Sequence, residues 1–303
     1  MGTPGFAVPA LQYLLDAGYP VVGVITAPDK PGGRGMKQMI TSPVKQFAEQ
    51  HGLRVLQPVS LKSKVFKAEL RSLQADLQVV VAFRMLPESV WAMPHLGTLN
   101  LHGSLLPAYR GAAPIQWAII RGEKVTGVTT FLLRHEIDTG DILLQREIPI
   151  LANDNASTLH DRMMQIGAGL VLATVDQLAA GIARPVPQHD ALASHAPKIF
   201  HADARIDWTR TAAAVHNFIR GMSPYPGAWT TLDNLEFKIL KAHPASAITD
   251  LSVPGKLILH GQALMAGTVN GWLELDEVQL TGKRRMTARE FVNGYRIKDW
   301  SAT

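Results

Sequence analysis

The chain has 303 residues, of which 47% are hydrophobic and 18% charged, and its formal net charge is +5. This size predicts about two folded domains with real hydrophobic cores. The absence of cysteine excludes disulfides and thiolate metal sites, and no apolar run approaches the ~18 residues of a membrane span. Because the N-terminus lacks the features of a signal peptide, we expect a soluble cytoplasmic protein, and the basic charge favours a polyanionic partner.

The first part of the chain alternates helices with apolar strands. In order, the pattern predicts a helix over residues 7–17, a strand over 20–26, a helix over 43–51 capped by Ser42, a short strand at Val55, a helix over 65–73 and a strand over 77–83. Such alternation indicates a parallel, doubly wound sheet of the α/β class. The Gly/Pro-rich opening turn normally follows a strand, so we expect the true start of the protein to lie upstream of Met1.

A long loop is predicted over residues 27–41, where Lys30, Arg34 and Lys37 stand among glycines and prolines. Long loops without secondary structure often carry function. A merely solvated loop explains the composition equally well, so the residues alone leave both interpretations open.

Residues 98–114 form the stretch around which the rest of the sequence is best understood. An apolar strand is interrupted by Asn100 and His102, which are two residues apart and therefore share one strand face. Polar side chains at the carboxyl end of a buried strand are typical of the crevice in which open α/β sheets bind ligands. A satisfied polar pair in the core is the alternative. A compact loop over 105–107 and a helix over 113–121, with Pro114 in its first turn, follow.

Two further strands, 125–133 and 142–150, flank the polar segment Arg-His-Glu-Ile-Asp-Thr-Gly-Asp of residues 134–141. The segment reads as an ordinary polar turn. A metal site from His102, His135, Asp138 and Asp141 is conceivable. We expect no metal, because no metal-ligand motif of the His-Glu-x-x-His kind is present.

The remaining chain predicts a core-packing helix over 157–181, an aperiodic linker over 183–203, and a second domain over 204–303. That domain starts with a helix over 212–220 and continues with short strands over 228–232, 235–242, 255–260, 264–269 and 272–280, a spacing that suggests a small, OB-like β-barrel. A barrel with basic loops can bind nucleic acid, although a solvated basic face is the alternative. Its basic positions are Lys238, Lys241, Lys256, Lys283, Arg284 and Arg285.

Three blocks of sequence resemble the folate-dependent formyltransferases: Asn-Leu-His-Gly-Ser-Leu-Leu-Pro at 100–107, Arg-Gly-Ala-Ala-Pro-Ile-Gln at 110–116 and Asp-Thr-Gly-Asp at 138–141. Further blocks at 2–7, 28–35, 42–45, 56–58 and 205–208 resemble the branch of that family that acts on transfer RNA. The likeness extends over nearly the whole chain. It departs at Gly5, where an acid is usual, at residues 134–136, and in the first strand, which is missing ahead of Met1.

The resemblance implies transfer of a formyl group from 10-formyltetrahydrofolate to the amino group of methionyl initiator tRNA, for translation initiation. It implies a metal-free cytoplasmic monomer with a catalytic domain over 1–182, and a catalytic trio of Asn100, His102 and Asp138. Lys30, Arg34 and Lys37 would meet the tRNA acceptor end, and the C-terminal barrel would track the tRNA body. The folate would contact Phe83, Arg84, Met85, Ser104, Leu105, Leu106 and Pro107.

Two alternatives to this function remain. One is a formyltransferase for an amino-sugar nucleotide or another small amine, against which the long basic loop argues. The other is a folate- or RNA-binding protein without turnover, which the missing first strand motivates, because its loss would leave an unpaired ladder in the sheet.

Overall fold

The computed structural model of the protein describes residues 1–32, 38–245, 252–295 and 301–302. The chain forms two compact units. The first consists of Met1–Gly111, Thr126–Ile148 and His160–His195, and the second of Ala112–Val125, Pro149–Leu159 and Ala196–Thr303. Within the described ranges, no helix is both long and apolar enough to cross a bilayer.

The secondary structure follows the predicted order closely. The helices are α1 (Val8–Asp16), α2 (Pro43–Gln50), α3 (Lys64–Ser72), α4 (Glu88–Trp91), α5 (Pro114–Ile120), α6 (Ala156–Ala179), α7 (Ala212–Met222) and α8 (Ala288–Gly294). The strands are β1 (Val24–Ile25), β2 (Lys30–Gly32), β3 (Gln38–Ile40), β4 (Val55–Leu56), β5 (Gln78–Val81), β6 (Thr98–His102), β7 (Arg110–Gly111), β8 (Val125–Leu132), β9 (Ile142–Pro149), β10 (His195–Ala196), β11 (Ala228–Leu232), β12 (Leu235–Pro244), β13 (Leu257–His260), β14 (Ala263–Thr268), β15 (Gly271–Leu280) and β16 (Met286–Thr287).

The N-terminal unit contains a four-stranded sheet in the order β5-β6-β8-β9 and a separate parallel pair, β1 with β4. Strands β5 and β6 are parallel, whereas β6 and β8 are antiparallel. Met1 and Gly2 join the two sheets, because the Gly2 N–H donates to the Ile25 carbonyl (3.0 Å) and the Val81 N–H donates to the Met1 carbonyl (2.9 Å). Burial lowers the pKa of the Met1 amino group to about 5. The parallel pairs β1–β4 and β5–β6, with helices between their strands, confirm the predicted α/β class, whereas the antiparallel β6–β8 pair makes the four-stranded sheet mixed and not parallel throughout as predicted.

Helix starts in this unit follow directly from the sequence. The Ser42 side chain accepts the N–H of Lys45 (3.1 Å), and Pro43 occupies the first turn of α2. Ser63 caps α3 in the same manner through the N–H of Phe66. Such caps satisfy backbone donors that have no partner within the helix. They explain why the helix boundaries are the best-predicted part of this unit.

Two regions differ from the sequence-based expectation. The predicted structureless loop over residues 27–41 contains the antiparallel pair of β2 and β3, in register from Lys30–Ile40 to Gly32–Gln38. The predicted strand over residues 20–26 is reduced to the two residues of β1. In both places, the length of the strand depends on which neighbouring backbone groups can form hydrogen bonds with it. The β-propensity of the residues does not determine it.

The C-terminal unit is built around an antiparallel sheet in the order β11-β12-β15-β14-β13, with β16 paired to β15. Fully buried side chains, including Phe237, Phe291, Ile219 and Leu273, form its core with α7 and α8. The order runs from β11 at one edge to β13 at the other, and in the described part of the chain no pairing joins these two edges. The predicted closed barrel is therefore not confirmed, whereas the predicted sheet domain is.

Candidate active site

Strand β6 carries the two polar side chains that the sequence singled out. Asn100 is in register with Val80 of β5 and Phe131 of β8, and His102 is in register with Thr129. Residues two apart on a strand point to the same face, so the structure brings both side chains together at the carboxyl end of β6. His102 is buried, whereas Asn100 is partly exposed. Within the described residues, the Asn100 amide makes no hydrogen bond, which leaves its N–H groups free to donate.

The imidazole of His102 lies between a carbonyl and a carboxylate. Its Nε2 is 2.9 Å from the carbonyl oxygen of Tyr109. Because a carbonyl only accepts hydrogen bonds, Nε2 carries the proton of the neutral ring and Nδ1 carries the lone pair. Nδ1 lies 3.7 Å from Oδ2 of Asp138. The Asp138 carboxylate therefore faces the ring nitrogen that carries the lone pair, and only 7% of the His102 side chain and 11% of the Asp138 side chain are exposed.

Asp138 belongs to the tight turn Asp-Thr-Gly-Asp. Its φ of 57° is in the left-handed region, which costs a residue other than glycine about 1 kcal/mol. The backbone N–H of Gly111 donates to its Oδ2 at 2.9 Å and so orients the carboxylate. A Cβ at Gly140 would lie 1.6 Å from the carbonyl oxygen of Leu132, so the turn has this shape only with glycine there.

Gln188 contacts the same turn from a different part of the chain. Its Nε2 donates to the carbonyl oxygens of Asp138 and Gly140, both at 2.8 Å. Its Oε1 accepts from Nε (3.0 Å) and Nη2 (2.7 Å) of the buried Arg110. Gln188 lies in the aperiodic 183–203 segment, and the sequence did not predict it as a site residue. A single glutamine after Pro-Val-Pro gives no local signal, and only the tertiary contact reveals it.

The residues just before Asp138 include one ion-paired side chain and two exposed ones. Arg134 donates to Oδ2 of Asp141 at 2.6 Å, and His135 and Glu136 are exposed. In the ranges that the structure describes, no group of three or more His, Asp or Glu side chains could hold a metal ion. The side chains gathered here, an amide, an imidazole and a carboxylate, suit hydrogen bonding to an oxygen and the transfer of protons.

Comparison with known proteins identifies the family. The formyl transferase model matches residues 2–175, and the model of the formyl transferase C-terminal domain matches residues 198–296. The methionyl-tRNA formyltransferase of Bacteroides fragilis is 49% identical over 309 residues, which cover 99% of this chain and 95% of that protein. Its counterpart from Parabacteroides distasonis is 50% identical over 306 residues, covering 98% and 94%. The chain belongs to the methionyl-tRNA formyltransferase family. The family predicted from the sequence motifs is thereby confirmed.

Solved structures share the fold at lower identity. WlaRD, a sugar 3N-formyl transferase, superposes with a TM-score of 0.67 at 20% identity and covers 93% of this chain and 97% of its own. HypX from Aquifex aeolicus, in complex with tetrahydrofolic acid, superposes with a TM-score of 0.61 at 22% identity, covering 84% and 47%. At these identities the likeness supports the mixed α/β fold with its added C-terminal sheet domain.

The residues expected to contact the folate follow two neighbouring parallel strands of this family fold. Phe83, Arg84 and Met85 come after β5, and the 104–107 segment comes after β6. Because β5 and β6 are parallel, their carboxyl ends meet at one edge of the sheet. Arg84 donates to the carbonyls of Pro58 and Val59.

The loop after β6 is held rigidly. The Ser104 hydroxyl donates to the Ala108 carbonyl (2.6 Å), and Thr129 Oγ1 donates to the Ser104 carbonyl (2.6 Å). Gln145 Nε2 donates to the Leu106 carbonyl at 2.9 Å, and a cis peptide joins Leu106 to Pro107. Ser104 is fully buried and serves as a loop-holding group. Its environment is that of a structural hydroxyl rather than an activated nucleophile.

Of the basic residues in the 27–41 segment, Lys30 lies exposed on β2, and Arg34 and Lys37 lie outside the described residues. The base of the segment is anchored by Asp29, which Lys45 Nζ contacts at 2.5 Å and Gln57 Nε2 at 2.8 Å. These two hydrogen bonds hold the pKa of the Asp29 carboxyl below its usual value, and that of Lys45 is raised by Asp29.

Proposed function

We propose that the protein transfers the formyl group of 10-formyltetrahydrofolate to the amino group of methionyl initiator tRNA, the reaction that prepares this tRNA for translation initiation. The observation that carries the proposal is the placement of Asn100, His102 and Asp138 around one strand end in a chain of the methionyl-tRNA formyltransferase family. The overall reaction replaces one N–C bond of the formyl group by another, and it moves one proton from the attacking amine to the folate nitrogen.

Asn100, His102 and Asp138 each have a different role in this reaction. The Asn100 amide donates a hydrogen bond to the formyl oxygen as negative charge develops on it. His102 accepts the amine proton at Nδ1, since Nε2–H is engaged by the Tyr109 carbonyl. Asp138 faces that nitrogen at 3.7 Å and stabilises the protonated ring, which then returns the proton to the leaving nitrogen. The amine attacks directly, so no acyl-enzyme is required.

The co-substrate fits the edge at which β5 and β6 end. Apolar Leu105, Leu106 and Pro107 and the Phe83, Arg84 and Met85 segment supply walls for a flat ring, and backbone groups supply polar contacts. Met85 is 70% exposed, whereas Leu106 is 3% exposed, so Met85 is accessible to the ring and Leu106 supports this edge from within. The hydrogen bonds around Ser104 and Thr129 keep the 104–107 loop in shape before binding.

The tRNA is assigned to basic surface on both parts of the chain. Lys30, Arg34 and Lys37 meet the acceptor end, where a guanidinium can contact phosphates and unstacked bases. The domain over 204–303, proposed to curl into an OB-like barrel, follows the tRNA body, with residues 183–203 as linker and 1–182 as catalytic domain. The protein acts as a monomer in the cytoplasm and uses no metal.

A formyl-transfer assay tests the proposal. The protein is given 10-formyltetrahydrofolate with methionyl initiator tRNA and, separately, with uncharged tRNA or an amino-sugar nucleotide. Transfer to the charged tRNA alone is expected, because only that acceptor offers a free amine on a polyanion. Transfer to the sugar nucleotide but not to the tRNA would overturn the tRNA assignment. Binding of folate and tRNA without any transfer would overturn the catalytic one.

A further inference from the structure

Gln188 is the group that connects the Asp138 turn to a buried cation. Both hydrogens of its amide are used, one on the carbonyl of Asp138 and one on that of Gly140, each at 2.8 Å. These carbonyls bracket Thr139, the central residue of the turn. A single planar amide therefore fixes the backbone on both sides of the turn that holds the carboxylate.

Arg110 determines which way that amide faces. Its guanidinium has only donors, so the two short contacts to Gln188 can be made only by the amide oxygen. The amide nitrogen is thereby directed at the turn. Nη2 of Arg110 also donates to Asp190 at 2.8 Å, which ties the cation to the same stretch of chain as Gln188.

Gly111, the residue after Arg110, makes a second contact with the Asp138 turn. The N–H of Gly111 donates to Oδ2 at 2.9 Å, while the Arg110 side chain acts through Gln188 on the backbone of the turn. One two-residue strand, β7, thus controls both the carboxylate and the main chain of Asp138. The left-handed φ of 57° at Asp138 means that the turn needs such support to persist.

We infer that Gln188, oriented by Arg110, is a positioning residue that keeps the Asp138 carboxylate facing Nδ1 of His102 during formyl transfer. The inference rests on the proposed catalytic role of Asp138. Gln188 itself is 2.8 Å from backbone oxygens and touches neither the imidazole nor Asn100 in the described contacts. Its effect on the reaction is expected to pass entirely through Asp138.

A double-mutant cycle tests this route. Gln188→Ala and Gln188→Glu are compared with the wild type, since glutamate keeps an oxygen for Arg110 but has no N–H for the turn. Each is expected to lower kcat by about 10- to 30-fold with the KM for both substrates within about threefold. In the Asp138→Asn background, Gln188→Ala is expected to lower kcat by less than about twofold more, because the carboxylate that Gln188 positions is already absent.

The readouts separate the possible failures. Gln12→Ala, which removes a partly exposed glutamine on α1, is the matched control and keeps full activity. Tetrahydrofolate binding and a melting temperature within about 3 °C of wild type show that the variants are folded. An equal loss in both backgrounds, or kcat within twofold of wild type for Gln188→Ala, overturns the positioning role. Full activity of Asp138→Asn alone instead overturns the proposed function of Asp138.

Discussion

Asn100 and His102 occupy one face of β6 but differ in what surrounds them, and this difference predicts distinct effects of substitution. His102 is held by the Tyr109 carbonyl and faces Asp138, whereas the partly exposed Asn100 amide makes no hydrogen bond to the described residues. A preorganised donor gains its value in the transition state rather than in the ground state.

We therefore expect Asn100→Ala to lower kcat by about 10²- to 10³-fold while the KM for folate and tRNA changes little.

His102→Ala should lower kcat by at least ~100-fold, because no other imidazole of the N-terminal unit contacts Asp138 in the described residues. Steady-state kinetics with both substrates, alongside urea unfolding, measures these effects. Activity near the wild-type rate in either variant would remove that residue from the mechanism.

Gly140 offers a test of turn geometry that removes no polar group. A Cβ at this position would meet the Leu132 carbonyl oxygen at 1.6 Å, so Gly140→Ala must move the backbone next to Asp138. We expect kcat to fall by about tenfold or more, since small displacements of positioned groups are costly. Gly5→Ala is the matched control, because a Cβ there meets nothing within 4 Å. Equal activity of both variants would show that the position of the turn is unimportant.

At the scale of elements, helix α7 packs a titratable side chain against β12. Nδ1 of His216 is 3.0 Å from the carbonyl oxygen of Ala242, and Arg220, His243 and Asp276 are the charged or titratable groups that act on it. Burial lowers the pKa of His216 below its usual 6.5, and the hydrogen bond to Ala242 and Asp276 only partly oppose this. The folded state therefore binds this proton less readily than the unfolded state.

The sign of the pH dependence follows from that depressed pKa. Stability from neutral His216 is fully present above pH 6.5 and is lost as pH falls through the lower folded pKa. The free energy of unfolding of His216→Gln, which keeps a donor for Ala242, should fall less between pH 7 and pH 5 than that of the wild type. Exposed His260→Gln controls for the loss of one histidine, and urea unfolding at several pH values gives the comparison. Parallel curves for His216→Gln and wild type would contradict the argument.

These elements also show what sequence can predict. Helices α2 and α3 start where Ser42 and Ser63 supply side-chain caps, which are local signals. The pairing of Asn100 with His102 on one face follows from the period of a strand alone. The pairing of β2 with β3 and the site contacts of Gln188 were missed, because each depends on partners that only the folded chain brings together. Closure of the C-terminal sheet likewise depends on long-range pairing that short strand patterns do not encode.

At the scale of the whole molecule, the net charge is +5, but the basic side chains differ in whether they already pair with a carboxylate. Arg284 donates to Glu290 at 2.8 Å and Arg285 pairs with Glu277. The N–H of Thr287, together with Arg284, lowers the pKa of Glu290 to about 2, so that pair stays charged at neutral pH. Lys241 and Lys256, by contrast, are exposed and form no ion pair within the described residues.

This contrast predicts which cations release counterions from bound tRNA. The logarithm of the affinity should fall linearly with the logarithm of salt concentration, with a slope that reports the number of phosphates neutralised. Lys241→Ala and Lys256→Ala should each reduce that slope by about 1, since each removes an unpaired charge. Arg284→Ala should change it less, because its charge is already balanced by Glu290. Filter-binding titrations over a salt series measure the slopes. An equal change for all three variants would show that the ion pairs open on binding. That result would contradict the division between unpaired and paired cations.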